Sequence, residues 1–408
     1  MATTIRPAGD VQVIGLITVA HFFSHLYILA LPPLFPVLAA DLGLSATQLG
    51  LAVASMNVTT AVLQAPTGGI VDRYGSARIL AAGQALFALS FVLIAAAPGL
   101  VMLFVAMLLA GIGNSVYHPA DYAVLAGRIE ERRAGRAFAV HTFGGYAGFA
   151  AAPPLMVGLH ALAGWRTALF AIGIAGLLYA AFLYARRGDL EPPARPAVER
   201  PAAVDKWALV RSPPILLGFL FFAAIAMAQT GISSFGVLAL ERLGADLAGA
   251  TAMVTAFLVT SALGVLAGGW VADRIRAHDR FVMAASLACA AFTLAAGLVA
   301  AWTLAGLDPT LTTLILMLLL SAAGLASGVI APSRDMIVRK LAPEGQTGTV
   351  FGFVTTGFNL GGLVAPPLFG LAIDYGAPTA VFYLSAFFSL SVIVTLGVRA
   401  RGTVQTPV

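Results

Sequence analysis

Histidines are the side chains in this sequence that most clearly point to chemistry, because an imidazole titrates near neutral pH. His21 and His25 lie four residues apart, on one face of a predicted helix, and His118 and His141 fall in two later apolar segments. These imidazoles could carry protons or donate hydrogen bonds to a substrate. Histidines at i and i+4 could also share a metal ion, but the first apolar segment offers no cysteine or carboxylate to complete that site. Metal transport is therefore the weaker alternative, and we expect no bound metal.

A carboxylate and a guanidinium also lie inside apolar segments. Ionisable side chains are costly in a membrane helix and point to function. An internal repeat places Asp121 on Arg334 and Tyr122 on Asp335. In one interpretation, Asp121 exchanges a proton while Arg334 holds a substrate anion, or pairs with Asp121 when the site is empty. In the other, Arg334 is permanently neutralised by Asp335 or Asp121 as structural glue.

Polar side chains in the later helices complete the candidate site. The substrate-binding and coupling candidates are His21, His25, His118, Asp121, Tyr122, His141, Gln229, Arg334, Asp335 and Asn359. No nucleophile–base pair, phosphate loop or metal-ligand cluster accompanies them. The sequence therefore does not predict an enzyme, and we expect no cofactor.

The composition places these residues in a lipid bilayer. Hydrophobic residues make up 60% of the chain and charged residues only 10%, whereas a soluble domain carries about 25% charged residues. A spanning helix needs about 20 mostly apolar residues. The all-α prediction has twelve such helices, at residues 11–39, 46–71, 78–97, 99–127, 136–158, 165–186, 212–241, 249–272, 280–302, 311–340, 348–373 and 378–400. The third, sixth, ninth and twelfth carry no ionisable group away from their ends, so we expect them to face lipid.

The basic residues predict the orientation. With the N-terminus inside, most of the 23 Lys and Arg fall in cytoplasmic segments, as the positive-inside rule requires. We therefore expect both termini in the cytoplasm and the inner (plasma) membrane as the location. The net charge of +5 is explained by this topology, and no nucleic-acid partner is predicted.

The chain repeats itself at half its length. The stretch 111–154 recurs 213 residues later as 324–367, with Gly111 on Gly324 and Pro119 on Pro332. Such a long period indicates two similar halves. We predict a six-helix bundle at 1–186, a flexible cytoplasmic linker at 187–210 with no binding role, and a second bundle at 211–408. Small residues let membrane helices approach closely, so we expect packing contacts at Gly144, Gly145, Gly148, Gly357, Gly361 and Gly362.

The loop after the second predicted helix resembles a known family. Residues 68–75, GGIVDRYG, match the G-x-x-x-D-R/K-x-G signature of the major facilitator superfamily. The runs HFFSH at 21–25 and YHP at 117–119 are similar to the fosmidomycin-resistance group within it. A second copy of the signature retains part of the pattern. The gating residues implied are Gly68, Asp72, Arg73, Gly75, Asp273 and Arg274.

The resemblance implies a mechanism. It implies two pseudo-symmetric six-helix bundles with a central site lined by helices 1, 4, 7 and 10. It also implies proton-coupled antiport by alternating access, with export of a small organic or anionic compound. Uptake or exchange of an organic anion bound by Arg334 remains the alternative. The signature further implies a conformational latch at the cytoplasmic end of the second helix. In this latch, Asp72 faces the N-terminus of the eleventh predicted helix, and Glu130 and Glu131 engage Arg73. We expect a monomer whose partners are its small-molecule substrate, protons and the lipid bilayer.

Overall fold

A computed structural model describes residues 9–191, 211–303, 308–342 and 347–402, and these ranges are helical without a β-strand. The helices are α1 (Asp10–Ile28), α2 (Phe35–Leu42), α3 (Ala46–Tyr74), α4 (Ser76–Ala95), α5 (Leu100–Asn114), α6 (Tyr117–Arg128), α7 (Glu131–Ala185), α8 (Arg187–Leu190), α9 (Pro213–Thr230), α10 (Gly236–Arg242), α11 (Leu247–Ala272), α12 (His278–Thr303), α13 (Pro309–Gly328), α14 (Ile330–Leu341), α15 (Thr347–Asp374) and α16 (Ala380–Gly402). A 3₁₀ turn covers Pro32–Leu34, and a π-helical turn covers Gly231–Phe235. The all-α prediction is confirmed.

In the part of the chain that the structure describes, the apolar helices account for twelve membrane crossings, because α7 is long enough for two. Within the described ranges, eleven apolar helical stretches are long enough to cross a membrane, and one of these has 54 residues. At 1.5 Å per residue that stretch would measure about 80 Å, against roughly 30 Å of hydrocarbon. Its helical geometry breaks at Gly164, where φ is +82°, a conformation that glycine adopts without steric penalty. The protein is therefore a multi-pass membrane protein, and α7 supplies two of its crossings.

Prolines interrupt helices that the sequence predicted as continuous. The predicted helix 99–127 is divided between α5 and α6, ahead of Pro119, and 311–340 is divided between α13 and α14, ahead of Pro332. Proline lacks an N–H and clashes with the carbonyl four residues earlier, which is residue 115 in the first case and residue 328 in the second. The breaks fall at matching places in the repeat. The predicted helix 11–39 is likewise interrupted, because α1 ends at Ile28 and Pro32–Leu34 forms the 3₁₀ turn.

The chain forms two compact units. The N-terminal unit contains the described residues of Met1–Leu31 and Ser55–Val198, and the C-terminal unit contains those of Pro32–Ala54 and Glu199–Val408. The division at residues 1–186 and 211–408 stays a prediction. Most of the predicted linker lies outside the described residues, but its first residues form α8.

The repeated glycines allow close packing of two helices in each unit. Gly144 and Gly148 in α7 lie against α1, and a Cβ on Gly148 would be 2.3 Å from the Phe22 carbonyl oxygen. In the C-terminal unit, a Cβ on Gly357 in α15 would be 2.3 Å from the Phe219 carbonyl oxygen in α9. These distances leave no room for a side chain. The glycines bring α7 into backbone contact with α1, and α15 into backbone contact with α9. In the N-terminal unit they thereby hold the side chains of α1 against α7.

Candidate functional site

Helix α1 brings two histidines into the interior of the N-terminal unit. His21 and His25 are one helical turn apart, and their ring centroids lie 4.3 Å from each other. The His21 side chain is buried and His25 is half-buried. Apolar residues surround them along α1, so the helix is held by lipid and by packing while its imidazoles point at α7. The predicted pairing of these two residues on one face is present.

His141 in α7 is stacked on His21. The two rings are nearly parallel, with an interplanar angle of 4° and centroids 3.9 Å apart. His21 Nδ1 lies 2.8 Å from the backbone oxygen of His141. A carbonyl oxygen only accepts, so Nδ1 donates this hydrogen bond and carries a proton. Gly145 makes the approach possible, because a Cβ there would lie 2.7 Å from His21 Cε1.

Asp121 in α6 completes the buried group. Its carboxylate Oδ2 is 3.0 Å from His141 Nε2, and the two side chains are 0% and 1% exposed. A charge this deeply buried is very unfavourable unless it is paired and hydrogen-bonded. The contact therefore places the carboxylate and the imidazole where one proton can be shared. We call His21, His25, His118, His141 and Asp121 the histidine cluster.

Several polar atoms of the histidine cluster are buried without a hydrogen-bond partner among the described residues. They are His21 Nε2, His25 Nδ1, Asp121 Oδ1 and His141 Nδ1. Unsatisfied buried polar atoms are rare and each calls for an explanation. Because His21 Nδ1 donates, its Nε2 is an acceptor when the ring is neutral. The cluster therefore has hydrogen-bonding sites beyond the two contacts described above.

His118 lies at the edge of the histidine cluster, at the surface of the N-terminal unit. Its ring centroid is 5.7 Å from that of His21 and 5.5 Å from that of Tyr122. His118 is exposed, and Tyr122 is 47% exposed. The two predicted residues thus lie at the edge of the buried group, where protons or a ligand can reach it.

A neutral hydrogen-bond network supports the other side of α1. Ser24 Oγ donates to Asn114 Oδ1 over 3.2 Å, and Asn114 Nδ2 donates to Thr60 Oγ1 over 3.3 Å. Thr60 Oγ1 in turn donates to the backbone oxygen of Gly111. Residues of α5 and α6 thus contribute to both this network and the histidine cluster.

Asp121 and Arg334 each contact a partner within their own unit, and Asp335 was one of the two partners that the sequence offered for Arg334. Asp121 contacts His141, whereas Arg334 Nε donates to Asp335 Oδ1 over 2.9 Å in the C-terminal unit. The Arg334 guanidinium also lies about 5 Å from each of two phenylalanine rings, at 4.9 Å from Phe222 and 5.0 Å from Phe358. Cation–π contacts and the adjacent carboxylate both stabilise the guanidinium. The repeat relates the two positions in sequence, but it does not make them partners.

The remaining predicted residues lie in the C-terminal unit. Gln229 Nε2 donates to Ser327 Oγ over 3.0 Å, between α9 and α13. Asn359 is half-buried in α15. Within the described residues, no group of three His, Cys, Asp or Glu side chains could hold a metal ion.

The gating signature forms the turn between α3 and α4. Gly75 adopts φ +94°, and Gly68, Asp72 and Arg73 lie in the last two turns of α3. The Glu191 carboxylate lies against Gly75 and accepts a hydrogen bond from the Ala77 backbone N–H over 3.2 Å. It sits at the positive N-terminal end of α4. Glu191, in the first part of the predicted linker, is thus held against this turn.

The charged residues near the signature have local partners. Arg73 lies over the Tyr74 ring, and Glu130 pairs with Arg132 at 2.7 Å and with Arg133 at 3.8 Å. Glu130 thus pairs with basic residues close to it in sequence, and its contact with Arg73 stays a prediction, while the Glu131 side chain lies outside the described part.

The second copy of the signature follows α11. Arg274 stacks on Trp270 at 3.8 Å and donates to the Trp270 backbone oxygen over 2.8 Å. Asp273 is exposed directly after the helix. These contacts hold Arg274 against its own helix.

Comparison with known proteins gives one family. Residues 17–291 and 225–407 match the Major Facilitator Superfamily. The Fosmidomycin resistance protein of Escherichia coli K12 is 26% identical over 97% of this chain and 94% of its own length. The D-galactonate transporter of Escherichia coli O6:H1 is 24% identical over 88% of each chain. The fold is similar to that of a bacterial homologue of the human lysosomal transporter Spinster, in an inward-facing and occupied conformation. That similarity has a TM-score of 0.74 at 15% identity and covers 96% of this chain and 95% of the other.

Proposed function

Because the chain belongs to the Major Facilitator Superfamily of transporters, we propose that it is a proton-coupled secondary transporter that exports a small organic compound by alternating access. Its two halves, 1–186 and 211–408, move as bodies joined by the linker 187–210. It acts as a monomer in the plasma membrane, with both termini in the cytoplasm. The proposal of proton coupling rests on the buried contact between Asp121 and His141, and on the stacking of His141 on His21.

Charge balance makes this contact suitable for coupling. With one shared proton, Asp121 and His141 are together neutral, either as an ion pair or as a neutral acid and a neutral imidazole. Removing that proton leaves a buried, uncompensated carboxylate, which is strongly disfavoured. A substrate or a conformational change that rehydrates the pair lowers this penalty and releases the proton. Proton occupancy and conformation are thereby linked.

An organic anion is the substrate class that this proposal favours. The D-galactonate transporter is named for such a compound, and the Fosmidomycin resistance protein is named for resistance to a drug. In this chain, His118 and Tyr122 offer hydrogen-bond donors at the surface of the N-terminal unit. Arg334, held between two aromatic rings, offers a positive charge in the C-terminal unit. The proposal of export rests on the similarity to the Fosmidomycin resistance protein and on the sequence resemblance to that group.

Uptake of the anion together with a proton is a second candidate, and one observation favours it. His21 Nε2 is a buried nitrogen without a partner among the described residues. A second proton there would give the cluster a net positive charge in a low-dielectric site, and a bound anion would balance it. Proton and anion would then stabilise one another and move in the same direction.

Proton movement in proteoliposomes tests the proposal. Candidate organic anions, including D-galactonate, are added to vesicles that contain the protein and a pH-sensitive dye. We expect substrate-driven proton flux with the wild-type chain and none with Asp121→Asn, while Asp121→Asn still binds the substrate. Protons that move against the substrate support export by exchange, and protons that move with it support the uptake candidate.

Two further variants make the result specific. Glu241→Gln removes a carboxylate that is half-exposed and paired with Arg242, and it should leave the proton flux unchanged. Arg334→Gln should weaken substrate binding if this residue holds the anion. Substrate transport with undiminished proton flux in Asp121→Asn would remove Asp121 from the coupling mechanism. Transport without proton movement in the wild type would refute proton coupling itself.

A further inference from the structure

The C-terminal unit contains a small, mainly apolar cavity with several polar side chains in its lining, and the proposed transport mechanism does not use it. Its volume is about 20 Å³, and a single water needs about 10–15 Å³ by the same measure. The walls come from α9, α11, α12, α13 and α16. The polar lining residues are Gln229, Ser286, Cys289, Thr293, Ser327 and Ser389.

Ser286 provides the evidence that this cavity binds something. Its side chain is 1% exposed, and its Oγ has no hydrogen-bond partner among the described residues. A buried hydroxyl normally finds a partner, either in the protein or in an ordered water. The cavity lies directly beside this hydroxyl. A water there would satisfy Ser286 without any change in the surrounding helices.

The other walls explain which ligand fits. Cys289 and Thr293 follow Ser286 on the same face of α12, and Ser389 Oγ lies 3.8 Å from Cys289 Sγ. On the opposite side, Gln229 Nε2 donates to Ser327 Oγ. No Asp, Glu, Lys, Arg or His lines the cavity. A charged ligand would lack a counter-ion, so the site suits a small uncharged hydrogen-bonding molecule.

We propose that this cavity is a hydrated site inside the C-terminal unit, which holds one water molecule on Ser286 and gives small neutral molecules access to the Cys289 thiol. The π-helical turn Gly231–Phe235 borders it, with Ile232 in the wall. Such wide turns often occur at functional sites in helices. The site is independent of the histidine cluster, which lies in the N-terminal unit.

Cys289 is the only cysteine of the chain, and it therefore reports on the cavity without background. The full-length protein in detergent is treated with mercuric chloride, a small neutral reagent. The thiol sulfur bonds to mercury, one chloride leaves and the thiol proton goes to solvent. Intact-mass spectrometry follows the adduct over time. We expect the folded wild-type chain to react and Cys289→Ser to form no adduct.

Cavity-filling variants test the route. Ser286→Met places a longer side chain in the cavity and should slow the reaction at least about tenfold, because thiol reactivity depends on access. Leu287→Met is the matched control, since Leu287 is 55% exposed, and it should react like the wild type. Ala228→Leu fills the cavity from α9 and provides a second variant should Ser286→Met fail to fold. Melting temperatures establish that each variant is folded.

Two results would overturn the proposal. If wild-type Cys289 reacts only after unfolding, the cavity gives no access to the thiol. If the folded filling variants react as fast as Leu287→Met, the reagent reaches the thiol by another route, and the cavity does not provide access.

Discussion

Gly148→Ala should destabilise the N-terminal unit, because α1 and α7 touch through their backbones at this position. A Cβ on Gly148 would lie 2.3 Å from the Phe22 carbonyl oxygen and 3.0 Å from the Leu26 backbone nitrogen, whereas ordinary contacts are 3.4–4 Å. Both neighbours belong to the helix backbone and cannot rotate away. The two helices must therefore separate by about 1 Å, a shift that also pulls His21 from His141. Overpacking of this kind costs about 1–3 kcal/mol.

Gly158→Ala is the matched control in the same helix. No atom lies within 4 Å of a Cβ placed on Gly158. Both variants gain the same helix propensity, up to about 1 kcal/mol for alanine over glycine. The difference between them therefore isolates the clash, and we expect Gly148→Ala to be less stable than Gly158→Ala by about 1–3 kcal/mol.

Thermal unfolding in detergent measures this difference. Intrinsic tryptophan fluorescence follows the transition of each variant under identical conditions. Gly158→Ala should melt at or above the wild-type temperature, and Gly148→Ala should melt clearly below it. Equal melting temperatures for the two variants would refute the backbone contact between α1 and α7, and with it the reason that the histidine rings lie so close together.

The remaining predictions concern two other contacts. Gly145→Ala should displace the His21 ring, because the new Cβ would lie 2.7 Å from His21 Cε1. Proton-coupled transport should then fall at least about tenfold, since the proton path loses its alignment. A proton flux equal to that of Gly158→Ala would contradict this. Asp374→Ala should lower the free energy of unfolding by about 0.5–2 kcal/mol, since Asp374 accepts from the backbone N–H groups of Ala46 and Thr47 at 2.9 and 2.8 Å and so caps α3. An unchanged melting temperature would show that this cap contributes nothing.

Periodicity and repetition predicted most of the fold. Apolar segments of about 20 residues identified every crossing, since the bilayer imposes that length whatever the side chains contact. The repeat predicted two similar halves, and Pro119 and Pro332 break their helices at matching places. The breaks themselves could have been predicted from the proline positions, because the clash with the carbonyl four residues earlier is local.

The partners inside the site could not be predicted in the same way. The sequence identified His141 and Asp121 separately, but their contact depends on how α6 packs against α7. For Arg334 the sequence offered both Asp121, through the repeat offset, and its neighbour Asp335 as partners, and only the structure shows the contact with Asp335. Equivalence in a repeat concerns position along a helix, and ion pairing concerns distance in space.

Uncharged polar residues were also missed. The ninth and twelfth predicted spans were expected to face lipid because they carry no ionisable group, yet Ser286, Cys289 and Ser389 in these spans line a buried cavity. The signal available was their spacing, since Ser286, Cys289 and Thr293 recur at i, i+3 and i+7. Serine and threonine also occur on ordinary helix faces, so this spacing alone does not distinguish a cavity from simple packing.

We propose that Asp121 links proton movement to transport, while substrate translocation itself does not need Asp121. The most direct test compares two modes of transport in the same proteoliposomes, substrate exchange without a proton gradient and substrate movement driven by one. We predict that Asp121→Asn retains exchange close to the wild-type rate and loses the gradient-driven mode. If Asp121→Asn retains gradient-driven movement, or loses both modes although it folds, then the histidine cluster is not the coupling site.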